Sequence, residues 1–345
     1  MAGMDLGLDL GTDSLVIAAP KKGVLFHEPA VMAVETATNR PIAYGREARA
    51  MLGRTPESIR AIRPLSHGVI ADYAHAEQLL RYALHKVCRY KLIKPRVTVS
   101  VPSEMTEVER RSVLEAVCMA GARQVSLIEK AVAVVIGFGA DISAAHGSIG
   151  VHFGAGSVDV AVLALGGVVT SLSRRIGSFQ LDEAIVRHMR DEHHLIIGQE
   201  TAERAKIAAG GVTPRPGDPE YSLRGRDAVT GLPRTQVVHS SELCIAMQEP
   251  LAEIFNAVQH AMEVTPPELL ADVLDDQVIL AGGGALLYGF ADWVSAQTRT
   301  VCRLAEHPQE TVAVGAASAV ASSARLAAGS GDVSRFSYHL SDNVV

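Results

Sequence analysis

Aromatic residues make up only 4% of this 345-residue chain, with a single tryptophan. The core must therefore come from Val, Leu, Ile and Ala, which favours a sheet-and-helix protein over an aromatic-rich sandwich. Cysteine is equally sparse: Cys88, Cys118, Cys244 and Cys302 are scattered, and no Cys-x-x-Cys occurs. Neither a zinc site nor a disulfide framework is indicated, and reduced cytosolic thiols are the simple reading. Long basic runs are missing and the net charge is -6. That argues against nucleic acid as a partner, because phosphate neutralisation needs clustered Lys and Arg. The start, Met1-Ala-Gly-Met-Asp-Leu6, has no charged region followed by an apolar one, so no signal peptide is expected. No apolar run approaches the ~20 residues that span a bilayer. Gly-x-x-x-x-Gly-Lys-[Ser/Thr] does not occur, and the run from Gly282 does not match Gly-x-Gly-x-x-Gly.

What is present is a strongly apolar chain, 48% hydrophobic and 20% charged, able to bury a large core as two domains or one duplicated unit. Its organising stretch is Ile149-Gly-Val-His-Phe-Gly-Ala-Gly-Ser-Val-Asp-Val-Ala-Val162, a strand, a glycine turn and a second strand. Leu6-Gly-Leu-Asp-Leu-Gly-Thr-Asp-Ser-Leu-Val-Ile17 has the same form. Two such hairpins suggest a duplicated α/β fold with a phosphate-binding loop in each half, since glycine backbone amides permit close approach of an anion. The second hairpin carries His152 where the first carries Asp9.

Around these hairpins, helix spacing predicts Tyr73–Val87, a helix opened by the capping box Thr106-Glu-Val-Glu109, a helix over 130–137 ending at Gly137, and Glu200–Ala209. A long helix capped by Ser240 or Ser241 carries Leu251, Ile254, Phe255, Val258 and Met262, and Thr265-Pro-Pro267 breaks it. Val278–Leu287 reads as a strand, a triple-glycine turn and a helix, and Thr311–Leu326 as an Ala-rich final helix. The end from Gly329 is polar and expected to fray.

Over residues 5–325 the sequence resembles the MreB/Mbl family of bacterial actins. The resemblance is carried by Gly7-Leu-Asp-Leu-Gly-Thr12, His27-Glu-Pro-Ala-Val31, Met51-Leu-Gly-Arg-Thr-Pro56, Ala61-Ile-Arg-Pro-Leu65, Gly68-Val-Ile-Ala-Asp72, Val101-Pro-Ser103, Thr106-Glu-Val-Glu-Arg110, Arg226-Asp-Ala-Val-Thr-Gly-Leu-Pro233 and Gly282-Gly-Gly-Ala-Leu-Leu287. It implies the actin-like fold, two related halves with a nucleotide cleft between them. The implied subdomains are IA (1–30, 68–142, 312–328), IB (31–67), IIA (143–180, 240–311) and IIB (181–239), with a polar tail at 329–345. Asp9, Gly11, Thr12 and Ser14 would hold phosphate, and Asp9 would hold Mg²⁺ through water. Gly154, Ala155, Gly156 and Ser157 would hold the other side of the phosphates. Glu203 and Lys206 would meet ribose and base, and Gly282, Gly283, Gly284 and Ala285 would back the adenosine. Without the resemblance, Glu203 and Lys206 read as a solvated helix pair. The implied cofactors are ATP or ADP with Mg²⁺. The implied partners are other subunits of this or related chains in filaments, the inner face of the cell membrane and the wall-elongation machinery.

Two departures stand out. The family's second loop begins with an Asp that helps bind Mg²⁺ through its water shell, and His152 stands there instead. A neutral imidazole is a poor substitute for an oxygen ligand. The family also reads Ile-Glu-Glu-Pro where this chain reads Ile128-Glu-Lys-Ala131. Lys130 thus replaces the Glu that polarises the attacking water, and a cation cannot act as that base. Glu129 cannot easily stand in, being about 100° away around the helix. Lys130 is left either to pair with a phosphate or to point to solvent, and His152 reads otherwise as a buried core residue. ATP hydrolysis is expected to be lost or very slow, with Mg²⁺ binding weakened and no catalytic residue remaining. Leu92-Ile93, between Lys91 and Lys94, occupies the position of the family's membrane loop, or else begins a buried strand. The leading expectation is a cytoplasmic, membrane-peripheral cytoskeletal filament protein involved in cell shape and wall growth. The alternative is a non-polymerising pseudo-ATPase scaffold. A sugar kinase of the same superfold lacks support in the small 31–67 insert, and a chaperone would need a peptide-binding domain after residue 326.

Overall fold

Leu6 to Leu10 and Leu15 to Ala19 are buried without interruption, the signature of strands covered on both faces. In the computed structural model, which describes residues 4–89, 93–144, 147–275, 278–326 and 338–339, they form a hairpin inside a layered α/β molecule. In chain order the elements are β1 (Asp5–Leu10), β2 (Ser14–Ala19), β3 (Gly23–Pro29), β4 (Met32–Glu35), β5 (Pro41–Tyr44), α1 (Gly45–Arg49), β6 (Ile59–Ile62), β7 (Leu65–Ser66), β8 (Val69–Ile70), α2 (Tyr73–Cys88), β9 (Arg96–Val101), α3 (Glu107–Met119), β10 (Gln124–Glu129) and α4 (Lys130–Phe138). The second half continues with β11 (Ser148–Phe153), β12 (Val158–Ala164), β13 (Gly167–Arg174), α5 (Ser178–His193), β14 (Leu195–Ile196), α6 (Gln199–Ala209), β15 (Glu220–Asp227), β16 (Pro233–His239), α7 (Ser240–Glu263), α8 (Pro267–Asp275), β17 (Val278–Ala281), α9 (Phe290–Thr298), β18 (Cys302–Leu304), α10 (Thr311–Leu326) and β19 (Tyr338–His339).

The duplication is visible in the pairing. The first large sheet runs β10-β9-β1-β2-β3 and the second β18-β17-β11-β12-β13. In each, the leading strand pairs antiparallel with the next strand in sequence and parallel with a distant one: β1 with β2 and β9, β11 with β12 and β17. Asp9 and His152 are both the next-to-last residue of that leading strand. They sit where the connection reverses direction, the place in α/β sheets where ligands bind beyond the strand ends.

α4 and α10 pack together between the two sheets, burying Val134, Val135, Ile279, Val312 and Ala316. Their approach is close enough to need glycine. A Cβ at Gly315 would stand 1.9 Å from the Ala133 carbonyl oxygen, one at Gly137 2.1 Å from that of Thr311, and one at Gly7 2.1 Å from the Ala317 amide. Gly137 therefore serves packing rather than termination. The helix runs one residue beyond it and ends at Gly139, in the left-handed region at φ 89°. Gly315→Val is expected to cost at least about 3 kcal/mol, since the collision is with backbone that cannot rotate away. A urea unfolding series measures it.

Three small sheets lie beside these two: β5-β4-β6 within 31–67, β14-β15-β16 within 181–239, and the antiparallel pair β7-β8. The first two lie within the proposed subdomains IB and IIB. The Thr106 capping box forms as the spacing predicts. After the break at Thr265-Pro-Pro267 the chain starts a further helix, α8, with Pro267 at its first position, where a missing amide is harmless. Within the tail, Tyr338–His339 pairs antiparallel with Gln124–Val125 at the edge of the first large sheet, rather than fraying. The rest of the tail lies outside the described residues.

Candidate functional site

A cavity of about 300 Å³ opens between the carboxyl ends of β1 and β11. Its wall contains Asp9, Gly11, Thr12 and Ser14 from the first hairpin and Gly154, Ala155, Gly156 and Ser157 from the second. Glu203 and Lys206 of α6 and the run Gly282–Gly284 close the other sides. Ala285 does not reach the cavity; it is buried in the core of the second half. Glycine is required at two of these places. A Cβ at Gly156 would lie 2.6 Å from Thr12 Oγ1, and Gly282 has φ 93° with the Phe153 carbonyl 2.2 Å from any Cβ. The two hairpin turns are also tied through one short segment: the Gly68 amide donates to Thr12 Oγ1 at 2.9 Å, and His67 Nδ1 to the Gly156 carbonyl at 2.9 Å.

The cavity floor carries a built-in ion pair. Lys130, first residue of α4, is 1% exposed, and its Nζ lies 2.7 Å from Asp9 Oδ1 and 3.4 Å from the Leu10 carbonyl. The same Asp9 oxygen accepts from Ser100 Oγ at 2.6 Å. Burial pushes the Asp9 carboxyl up, but the Lys130 ammonium, with lesser help from His152 and Ser100, outweighs it and holds the pKa below the usual carboxylate range. The reading of Lys130 as solvent-facing is thus corrected: a lone ammonium is drawn to the buried carboxylate.

These residues do not fit a hydrated Mg²⁺. The ion keeps a rigid shell of water and binds through carboxylate oxygens. Here Asp9 Oδ1 already accepts two hydrogen bonds, one from a cation that would repel the metal. Asp9 thus enters the cleft as the partner of Lys130.

His152 is likewise held by a carboxylate. Its Nδ1 donates to Asp159 Oδ2 at 3.2 Å, and Asp159 also accepts from Ser157 Oγ at 2.8 Å and Ser173 Oγ at 2.6 Å. Burial raises the Asp159 pKa, but bonding to His152, its charge and Lys130 together bring it below the ordinary value. The imidazole packs against both glycine turns; a Cβ at Gly154 would stand 2.7 Å from its Cε1, and one at Gly282 3.1 Å from its Cδ2. His152 is a buried, hydrogen-bonded residue that also faces the cavity. Asp159 escapes sequence reasoning because it follows Ser157 as an ordinary alternate strand position.

Glu203 and Lys206 are not paired with each other. Glu203 accepts from Arg49 at 2.6 Å, across the cleft mouth, and Arg49 also reaches Asp13 at 3.2 Å. Arg63 adds a contact to Glu200 at 3.2 Å and stacks on the Phe179 ring at 5.1 Å. Lys206 Nζ sits 2.8 Å from Asp182 and donates to the Ser178 carbonyl at 3.0 Å. Burial dominates at Asp182 and Lys206 only partly opposes it, so its pKa is pushed up to about 7. A raised carboxylate pKa stabilises the fold fully below about 4, and the contribution is lost as pH rises through 7. Asp182→Asn is therefore expected to flatten the fall in stability between about pH 4 and 8, read from urea midpoints across that range.

The family model for MreB/Mbl protein matches residues 3–328. The chain belongs to the MreB/Mbl family. It is 40% identical over 316 residues to the cell shape-determining protein Mbl of Bacillus subtilis (strain 168), covering 91% of this chain and 95% of that one. It is also 40% identical over 322 residues to the cell shape-determining protein MreB of Escherichia coli (strain K12), covering 92% and 93%. Among solved structures, MreB5 of Spiroplasma citri bound to AMPPNP superposes with a TM-score of 0.87 at 29% identity, covering 94% and 98%. A MamK double helical filament, at TM-score 0.77 and 20% identity, shares the fold. The protein is thus an actin-like, cell-shape cytoskeletal family member.

Within this MreB/Mbl chain, Glu129 is turned away from the cleft and accepts from Ser171 Oγ on β13. It does not line the cavity; it is the last residue of β10, in extended backbone, so strand geometry rather than a helical turn separates it from Lys130. Of the membrane pair, Leu92 lies outside the described residues; Ile93 is half-buried and Lys94 exposed. Among the described residues no helix is long and apolar enough to cross a membrane. Arg49 and Arg63 have no sequence signature that would have placed them at the cleft, since their partners are far away in the chain. Ser178, Phe179, Arg215 and Gln309 also line the cavity, contributed by segments that carry no glycine motif.

Proposed function

We propose that this MreB/Mbl chain binds ATP or ADP in the cleft, with the Lys130 ammonium taking over the charge role that Mg²⁺ has elsewhere, and that it hydrolyses nucleotide very slowly or not at all. The observation that carries the reading is the buried Lys130 Nζ, 2.7 Å from Asp9 at the cavity floor. Support for the nucleotide comes from the glycine turns around the cavity and from the Spiroplasma citri MreB5 structures, which are bound to AMPPNP and ADP. Lys130 leaves the cleft without a base at the position where the family has its water-polarising Glu. It supplies instead a fixed positive charge for phosphate oxygens, which form strong charge-assisted hydrogen bonds with ammonium groups.

The bound chain assembles head to tail into filaments at the inner face of the cell membrane and helps to organise wall growth. Leu92 and Ile93 make the membrane contact, weak per subunit and multiplied along a filament. Support for self-association comes from the β15–β16 hairpin tip, where Val229 and Leu232 are 82% and 65% exposed on a turn fixed by Asp227. Solvated apolar side chains on a rigid turn suit a subunit contact. Sedimentation with ATP tests the reading: pelleting by the parent protein with no phosphate release above background, and loss of pelleting in Val229→Asp/Leu232→Asp. A parent protein that stays in the supernatant would favour the non-polymerising scaffold, and phosphate release at an ordinary enzymatic rate would contradict the proposal.

A further inference from the structure

We propose that His188, His193 and Glu242 form a binding site for a divalent transition-metal ion, Zn²⁺ in the first instance, on the side of the second half remote from the cleft. His188 and His193 lie on the last turns of α5, and Glu242 in the first turn of α7. Both imidazole Nε2 atoms converge on one carboxylate oxygen: His188 Nε2 is 3.0 Å from Glu242 Oε1, and His193 Nε2 meets the same atom. All three candidate ligand atoms lie within 4.8 Å of one another. A tetrahedral Zn²⁺ with bonds of about 2.0–2.1 Å needs its ligand atoms roughly 3.3 Å apart, so small side-chain rotations admit the ion.

Helix geometry alone does not bring the pair together. Residues five apart on an α-helix are turned by roughly 140° from each other, so the rings meet only because both fold back onto Glu242. Their ring centroids are 6.0 Å apart. The side chains are 19%, 23% and 26% exposed, which leaves an approach for the ion and room for a water as fourth ligand. The donor set of two nitrogens and one carboxylate oxygen suits Zn²⁺ and disfavours Mg²⁺ and Ca²⁺, which prefer oxygen alone. No other such trio occurs among the described residues.

The site has a structural consequence. The ion would fasten the C-terminal end of α5 to the start of α7. The other end of α5, about 24 Å away along the helix, holds the second glycine turn: Ser178 N donates to the Gly154 carbonyl and Phe179 N to that of Ala155. Metal binding thus stiffens the strut on which that turn rests.

The test uses the full chain, freed of metal by chelator and free of nucleotide, titrated calorimetrically with Zn²⁺ alone. One equivalent is expected to bind, with affinity at least about tenfold weaker in His193→Gln and in Glu242→Gln. Co²⁺ in place of zinc is expected to give the visible absorption of a four-coordinate ion in the parent and not in these variants. Thermal melts without metal establish that each variant folds, and added Zn²⁺ should raise the melting temperature of the parent alone. His239→Gln, a surface histidine near Asp218 and Glu220, should leave all readings unchanged. Zinc affinity equal in the parent and in a folded His193→Gln or Glu242→Gln variant, or no binding by the parent, overturns the proposal.

Discussion

Lys130→Met is expected to destabilise the protein by about 3–5 kcal/mol, the range observed when one partner of a buried ion pair is removed. What remains around Asp9 sets the cost. Asp9 is 5% exposed, and without the ammonium it keeps one hydroxyl donor, Ser100 Oγ. A buried carboxylate with so little compensation must either take up a proton or open the cleft to water. Methionine fills the volume of the lysine stem, so the loss reports charge rather than a cavity. Urea unfolding at neutral pH measures the difference, and acidic pH should shrink it as Asp9 is protonated in the variant. The second part of the expectation concerns the ligand. With the internal cation gone, the nucleotide phosphates lose their fixed counter-charge, and binding should become dependent on added Mg²⁺. A loss of stability under 1 kcal/mol would mean that the pair is not a structural element of the cleft.

The larger effect is predicted for Lys130→Glu/His152→Asp. This variant restores a carboxylate at both positions where the chain departs from its family. Without metal it should scarcely fold, because Asp9, Asp159 and the two introduced carboxylates would then face one another with no cation among them. With Mg²⁺ and ATP it should fold, and phosphate release should rise at least about 100-fold over the parent, the lower end of what a positioned general base contributes. Circular dichroism with and without Mg²⁺ reads the first expectation and a phosphate-release assay the second. A variant that folds with Mg²⁺ and ATP yet releases phosphate no faster than the parent would locate the defect elsewhere in the cleft.

The frame of this molecule is legible in the sequence because its signals are local. Alternating apolar residues and glycine turns at 6–17 and 149–162 give the two hairpins, and the Thr106 capping box and the α10 alanines give helices that form at the expected places. What is not legible depends on partners distant in the chain. Gly137 looks like a helix stop, but its role is contact with α10, far away in sequence. Lys130 is anomalous by its type alone; that it turns inward depends on Asp9, brought to it by β1. Glu203 and Lys206 have the spacing of a helix pair, yet each finds a better partner on another element, Arg49 and Asp182. Charged side chains reach several ångströms and choose among whatever the fold brings near, so spacing within one helix constrains them weakly.

Nucleotide binding with and without metal is the decisive measurement. Calorimetric titration of the parent protein with ATP, once with Mg²⁺ and once with chelator, should give dissociation constants within about threefold of each other, a difference under ~1 kcal/mol. An affinity at least about 100-fold tighter with Mg²⁺, nearly 3 kcal/mol, would contradict the assignment of Lys130 as the resident cation of the cleft.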